Sequence, residues 1–289
     1  MRLPDATRTL ALSIAGIRFR FSGLPATLDA ALRSRFDLFV VPDEPEAANN
    51  LDMELSASPV RQYLPYPHEG GPIEYQIESE TLGGRLHAWS YSFSGCFDIE
   101  GNRGELELCL TDFEPPHRSV ENFLRVALAW KAMNYGGFLL HASGVVVGGR
   151  AYLFFGPSGS GKTTITRLSE GSLVLNDDCI LLMRTSGPFR ASGVPFKGAE
   201  DAGAQNSGSF PIAGLFRLVK APTPSCERLP PARAASELLS SIPFVTDRKE
   251  GFDRVFNAVE EVLRSAPVYS LRFRLSPDFW SCIERETGS

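Results

Sequence analysis

Gly156, Gly161, Lys162 and Thr163 occupy the fixed places of a G-x-x-x-x-G-K-[ST] pattern, within Phe155-Gly-Pro-Ser-Gly-Ser-Gly-Lys-Thr-Thr164. Such a loop is suited to holding the phosphates of a nucleoside triphosphate. Its glycines let successive N–H groups of Pro157's neighbours, Ser158, Gly159 and Ser160 curl around one concavity, which attracts anions. The helix that follows adds the partial positive charge of its N-terminus beside Thr163 and Thr164. Lys162 has the reach to meet the β- and γ-phosphates, and the Thr163 hydroxyl is placed to ligate Mg²⁺. By composition alone the pattern arises in roughly one chain in a hundred of this length, so its surroundings have to support it.

Asp177 and Asp178 follow the loop by a short helix and strand. One carboxylate at such a place can hold Mg²⁺ through water, and a second can accept a proton from an attacking hydroxyl. Adjacent like charges raise one another's pKa, which suits a base near neutrality. The bland alternative is a turn capped by two acids. His141 is the one histidine near this region, and it is open to two readings. It orients the acceptor or contacts a phosphate, or it is a satisfied structural residue at a strand end. Ser143 carries the same ambiguity. Arg167, Lys197, Arg217, Lys220, Arg228 and Arg233 are candidates for neutralising charge, with surface solvation as the default for each.

These residues need strands and turns to bring them together. Ala151–Phe155 is an apolar run of the buried-strand kind, and Thr163–Leu168 continues as a helix. Before it, Phe138–Leu140 and Gly144–Val147 are expected strands, the second joined to Ala151–Phe155 by a Gly148-Gly149 hairpin turn. Ser172–Leu175, Ile180–Met183, Leu215–Val219 and Val268–Leu275 extend the set. A helix is expected over Phe252–Leu263, and a short one at the C-terminus. Residues 185–211 and 222–231 read as loops, the first mobile and beside the site.

Residues 1–117 read mostly as strands: around Ile17–Phe21, Phe36–Val41, Leu51–Leu55, Ile73–Ile77, Leu86–Phe93 and Leu106–Leu110, with a loop over Ser58–Gly71. Ser119 is the expected N-cap of a helix running to about Tyr135, which Gly136-Gly137 ends. The division predicted is a strand-rich (α+β) N-terminal domain, 1–117, and an α/β domain, 118–289.

The 289 residues carry 34 acidic and 29 basic side chains, fairly evenly mixed, for a net charge of −5. No basic cluster or face suggests nucleic acid. Five scattered cysteines form no C-x-x-C pair or zinc spacing, so buried free thiols in a reducing compartment are expected. The first residues lack the apolar core of a secretory signal, and no apolar run approaches the ~18 residues of a membrane span. A soluble, cytoplasmic protein is the expectation.

With His141-Ala-Ser, the strand pair, the glycine-rich loop and Asn176-Asp177-Asp178 in this order, the chain resembles the HPr kinase/phosphorylase-like serine kinases. The resemblance covers about residues 119–275 and is strongest over 138–182. It implies a phosphoenolpyruvate-carboxykinase-like α/β fold, Asp178 as the base, Asp177 as a metal-side carboxylate, and His141 in the active site. Where HPr kinases carry an Arg-Gly-centred segment serving phosphorolysis, this chain reads Val194-Pro-Phe-Lys-Gly-Ala-Glu-Asp201. A kinase without phosphorylase activity is therefore expected. Its donor would be ATP with Mg²⁺, and its acceptor a serine of a protein or peptide. Self-association is left open. Two rivals remain: a small-molecule kinase on the same scaffold, and a nucleotide-switched regulatory ATPase module.

Overall fold

The computed structural model describes all residues except 1–6, 48–49, 59, 61, 66–75, 110–113, 185–186, 198–205, 247–248 and 289. It is a mixed α/β structure with two sheets. Contacts divide it into two compact units, Met1–Lys131 and Ala132–Ser289.

The first unit is built on β1 (Arg8–Ile14), β2 (Ile17–Leu24), α1 (Ala26–Arg35), β3 (Val40–Val41), β4 (Asn50–Ala57), β5 (Glu78–Leu82), β6 (Arg85–Trp89), β7 (Phe93–Asp98) and β8 (Arg103–Leu108). Its eight strands run in the order β3-β1-β2-β4-β8-β7-β6-β5, with β4 parallel to β2 and β8. Period-two alternation produces this sheet. Ile17, Phe19 and Phe21 are buried while Arg18 and Arg20 are partly exposed, and Leu106 and Leu108 are buried while Glu105 and Glu107 are not.

The helix α2 (Pro116–Met133) packs on this sheet. The Phe123 ring meets Phe93 and Phe97 edge-on at 5.9 and 6.0 Å, and it lies where a side chain at Gly95 would stand. Arg35 of α1 donates to Glu121 at 2.6 Å, a pair buried on both sides. With α2 packed there, the contacts divide the units at 131/132, whereas the division expected was 1–117 and 118–289. Ser119 is not the N-cap, because α2 starts at Pro116; the Ser119 hydroxyl instead joins Ser92 and Glu114 in a buried network.

Other expectations for this half also change. A 3-10 turn occupies Asp37–Phe39, leaving only Val40–Val41 of the strand expected from Phe36. Leu86–Phe93 divides into β6 and β7 around Ser90–Ser92. The helix α1 was hidden among strand signals because Leu28 and Leu32 are its only buried apolar side chains. Residues 73–75 of the strand expected over Ile73–Ile77, most of the Ser58–Gly71 loop and Leu110 fall outside the described residues, and Gln76 and Ile77 precede β5 without strand structure.

The second unit holds β9 (Phe138–Leu140), β10 (Ala142–Val147), β11 (Arg150–Phe155), α3 (Lys162–Leu168), β12 (Leu173–Asn176), β13 (Ile180–Arg184), β14 (Phe189–Ser192), β15 (Ser209–Lys220), β16 (Ser225–Arg228), α4 (Pro231–Leu239), α5 (Lys249–Ser265), β17 (Val268–Phe273) and α6 (Phe279–Thr287). The long β15 organises the sheet. It runs parallel to β11 and β17 and antiparallel to β14, which leads through β13 to β9. Gly148 and Gly149, with φ of 56° and 75°, close the β10–β11 hairpin in the geometry that suits strand twist. Beneath lies an aromatic core in which Phe216 stacks on Phe154 and Tyr269, and Phe279 and Trp280 meet Phe154 edge-on.

Two stretches read as loops carry structure. Residues 185–211 include β14 and the start of β15, and 222–231 include β16. The helix α4 was not anticipated. Among the described residues no helix is long and apolar enough to cross a membrane.

Candidate functional site

Three strand registers bring the site together. Ala142 pairs with Phe155 across β10 and β11, so His141 and the Gly156 loop leave the sheet at the same end. Gly144 pairs with Asn176, which brings the end of β12 to that edge. Leu140 pairs with Ile180, which sets His141 opposite the Asp177–Cys179 turn. A cleft of about 360 Å³ opens there, lined by Ser158, Gly159, Gly161–Thr164, His141, Asp177, Asp178 and Lys220.

The loop conformation depends on its glycines. Gly156, Gly159 and Gly161 have φ of 149°, 73° and 107°, a region that L side chains rarely enter. A Cβ on Gly161 would stand 2.5 Å from the Phe273 ring, whereas one on Gly159 would meet open space. The Ser160 hydroxyl is buried with no hydrogen-bond partner among the described residues. A buried polar atom left in this condition costs free energy until a ligand satisfies it.

Lys162 is buried and donates from Nζ to the Gly156 carbonyl at 2.9 Å and the Pro157 carbonyl at 3.4 Å. Burial pushes its pKa below the ordinary lysine value, opposed by the charges of Asp178 and Cys179. Thr163 and Thr164 are half-buried on the first turn of α3. Ser143 is structural here: its fully buried hydroxyl donates to the Lys162 carbonyl at 3.2 Å, tying β10 to α3.

Asn176 shapes the acidic turn. Its Nδ2 donates to the carbonyls of Val194 and Phe196 at 3.0 and 2.7 Å. Its Oδ1 accepts from the N–H groups of Asp178 and Cys179 at 2.8 and 3.0 Å. The side chain thus closes an Asx-type turn while anchored on the following segment. Sequence reading passed over it as part of the motif. An Asn ahead of a turn was the available signal, but its anchors lie in a stretch taken for loop.

The imidazole of His141, 39% exposed, has Nδ1 at 3.5 Å from Asp178 Oδ1. The backbone N–H of His141 donates to the Ser241 carbonyl at 2.8 Å, fastening the segment after α4 beside the site. A second cleft of about 520 Å³ adjoins the first. It shares His141 and Ser158 and is lined further by Gly156, Pro157, Arg217, Glu237 and Ser240–Pro243. Arg217 is held by Glu237 at 3.0 Å and by the Leu218 carbonyl at 3.1 Å.

Of the cations considered, Lys220 lines the first cleft and Arg217 the second. Arg167, Arg228 and Arg233 are exposed, and Lys197 is half-buried. The site can therefore seat an anion on backbone and lysine, a divalent cation on Thr163 and a carboxylate, and a hydroxyl beside Asp178. No curated protein matches the sequence. A family model does, that of the SynChlorMet cassette protein ScmC, over residues 120–287, and the chain belongs to that family.

Proposed function

We propose that the protein is an ATP- and Mg²⁺-dependent kinase that phosphorylates a hydroxyl, the serine of a protein or peptide, on a phosphoenolpyruvate-carboxykinase-like fold. The observation that carries this reading is the convergence of the glycine loop, Lys162, Asp177, Asp178 and His141 on one cleft. The resemblance to HPr kinase-like serine kinases supports it with the same residues in the same order.

The residues fit the donor. The glycine loop leaves open space at Gly159 and an unsatisfied hydroxyl at Ser160, as a phosphate cradle requires. Lys162 would leave the Gly156 carbonyl for the β/γ-phosphates, a short shift for a flexible side chain. Thr163 and Asp177 would hold Mg²⁺, whose role is to neutralise charge on the transferring phosphoryl group. Asp178 would accept the hydroxyl proton, with His141 fixing the orientation of its carboxylate. Catalysis would come from positioning and charge stabilisation.

The second cleft gives the acceptor a route. It meets the loop at Gly156–Ser158, where Lys162 Nζ sits, and excludes Thr163 and Thr164. In loops of this kind Lys marks the β/γ end of the triphosphate, so the acceptor would approach through this cleft.

The test uses γ-labelled ATP, Mg²⁺ and an extract of the source cells. Label entering a protein or peptide band with wild-type protein, and lost with Asp178→Asn, is the expected result. Label confined to small molecules would favour a metabolite kinase. ATP hydrolysis with no acceptor-dependent transfer would overturn the kinase reading.

A further inference from the structure

A chemistry of a different kind is available on the acidic turn. His141 Nδ1 lies 3.5 Å from Asp178 Oδ1, and Cys179 Sγ lies 3.7 Å from Asp178 Oδ2. One ligand atom from each of the three residues falls within 4.8 Å of the other two. A tetrahedral cation with bonds of about 2.0–2.3 Å sets neighbouring ligands about 3.3–3.8 Å apart. Asp178 reaches that range with one oxygen toward each neighbour, Oδ1 toward His141 and Oδ2 toward Cys179, so a turn of the carboxylate and small side-chain shifts would bring one atom of each residue to the ion.

We propose that His141, Asp178 and Cys179 form a binding site for a thiophilic divalent cation of the zinc class. A nitrogen, an oxygen and a sulfur suit such an ion and not magnesium, which takes oxygens in octahedral array. The site is distinct from the magnesium position assigned to Thr163 and Asp177.

The backbone holds the ligands ready. The pairing of Leu140 with Ile180 fixes β9 against β13, and Asn176 Oδ1 binds the N–H of both Asp178 and Cys179. Cys179 is 4% exposed, so its thiolate would be desolvated, while His141 and Asp178 face the cleft. Three protein ligands with a fourth position toward solvent is the form of an open zinc site. The ion would occupy the carboxylate that accepts the proton, so zinc would oppose transfer. That consequence alone rests on the kinase reading.

Cobalt reports the site optically. Chelator-stripped, nucleotide-free full-length protein titrated with Co²⁺ is expected to develop a near-ultraviolet thiolate-to-cobalt band that saturates at a single equivalent. Zn²⁺ should abolish the band, and excess Mg²⁺ should leave it. Cys179→Ser should remove the band, while Cys96→Ser, at a thiol of the first unit, should keep it. Zinc affinity, measured by competition with a chromogenic chelator, should fall about tenfold or more in Cys179→Ser and in His141→Gln. His141→Gln alters a partly exposed side chain, so it keeps the test valid if Cys179→Ser fails to fold. A band that survives Cys179→Ser, or zinc affinity unchanged in His141→Gln, overturns the site. None of these readouts needs turnover, so a failed kinase reading leaves the result intact.

Discussion

His141 Nδ1 stands 3.5 Å from Asp178 Oδ1 although the two residues are on different strands' ends, and the Leu140–Ile180 pairing holds them there. The imidazole can orient the carboxylate, and the carboxylate can take a proton. Asp178→Asn removes the acceptor of that proton and keeps the shape. Transfer should drop about 10²–10⁴-fold, with nucleotide affinity changed by no more than about threefold, since an acceptor-side carboxylate adds little to ground-state binding. His141→Ala should cost less, about tenfold, because the carboxylate remains. Rates and nucleotide titrations on the two variants check the order. A larger loss in His141→Ala than in Asp178→Asn would reverse the roles.

The glycines of the loop are not equivalent. Gly161→Ala combines a φ of 107° with a Cβ 2.5 Å from the Phe273 ring, so the loop or the ring must move. Gly159→Ala meets open space and carries only the left-handed backbone penalty, about 1 kcal/mol. Isothermal titration should show nucleotide affinity lost in Gly161→Ala and weakened only about fivefold in Gly159→Ala. Equal effects would mean that Phe273 gives way without cost.

Asn176→Ala deletes four hydrogen bonds from a fully buried side chain. The carbonyls of Val194 and Phe196 and the amides of Asp178 and Cys179 would each lose a partner. At about 1 kcal/mol apiece, a destabilisation of about 3–4 kcal/mol is expected in urea unfolding. Near wild-type stability in that variant would show that water replaces the side chain.

That residue also marks where the sequence stopped being legible. The order of strand, loop, helix, strand and acidic pair could be read because each step is local: apolar runs, glycines at fixed spacing, a Gly-Gly turn. The registers that set His141 opposite Asp178 could not, because pairing between β9 and β13 joins residues with three strands between them in the chain. Asn176 was opaque for the same reason, its anchors lying eighteen and twenty residues on. The helices α1 and α4 escaped because few of their apolar side chains are buried: Leu28 and Leu32 in the first, Ala234 and Leu238 in the second. Without α4, the second cleft could not be foreseen, since Glu237 and Ser240–Pro243 build one wall of it.

In the first unit, Arg35 and Glu121 have side chains only 8% and 4% exposed. Glu121 also takes Arg125 at 3.1 Å. Glu121→Ala would leave the Arg35 guanidinium buried without its carboxylate, a loss of about 3–5 kcal/mol. Replacing both Arg35 and Glu121 by apolar residues of similar volume should recover most of that. Unfolding curves of the single and double variants measure the difference. A single variant as stable as wild type would mean that the guanidinium reaches solvent.

The last prediction concerns the acceptor. Arg217 is fixed by Glu237 at Nε and by the Leu218 carbonyl at Nη1, and Nη2 makes no hydrogen bond among the described residues. The guanidinium lines the second cleft beside Gly156–Ser158, where a held, partly committed fork could bind a carbonyl or carboxylate of the proposed acceptor. A hydrogen bond from a charged donor contributes about 1.5–3 kcal/mol. Arg217→Ala should therefore raise the KM for the acceptor about 10–100-fold and leave the KM for ATP within about twofold. Arg217→Lys should not restore it, because an ammonium cannot keep the Glu237 and Leu218 contacts and reach the acceptor at once. Glu237→Gln should give a smaller rise, since the guanidinium stays but its orientation loosens. An increase in the KM for ATP, with the acceptor unaffected, would place the nucleoside in this cleft and the acceptor elsewhere.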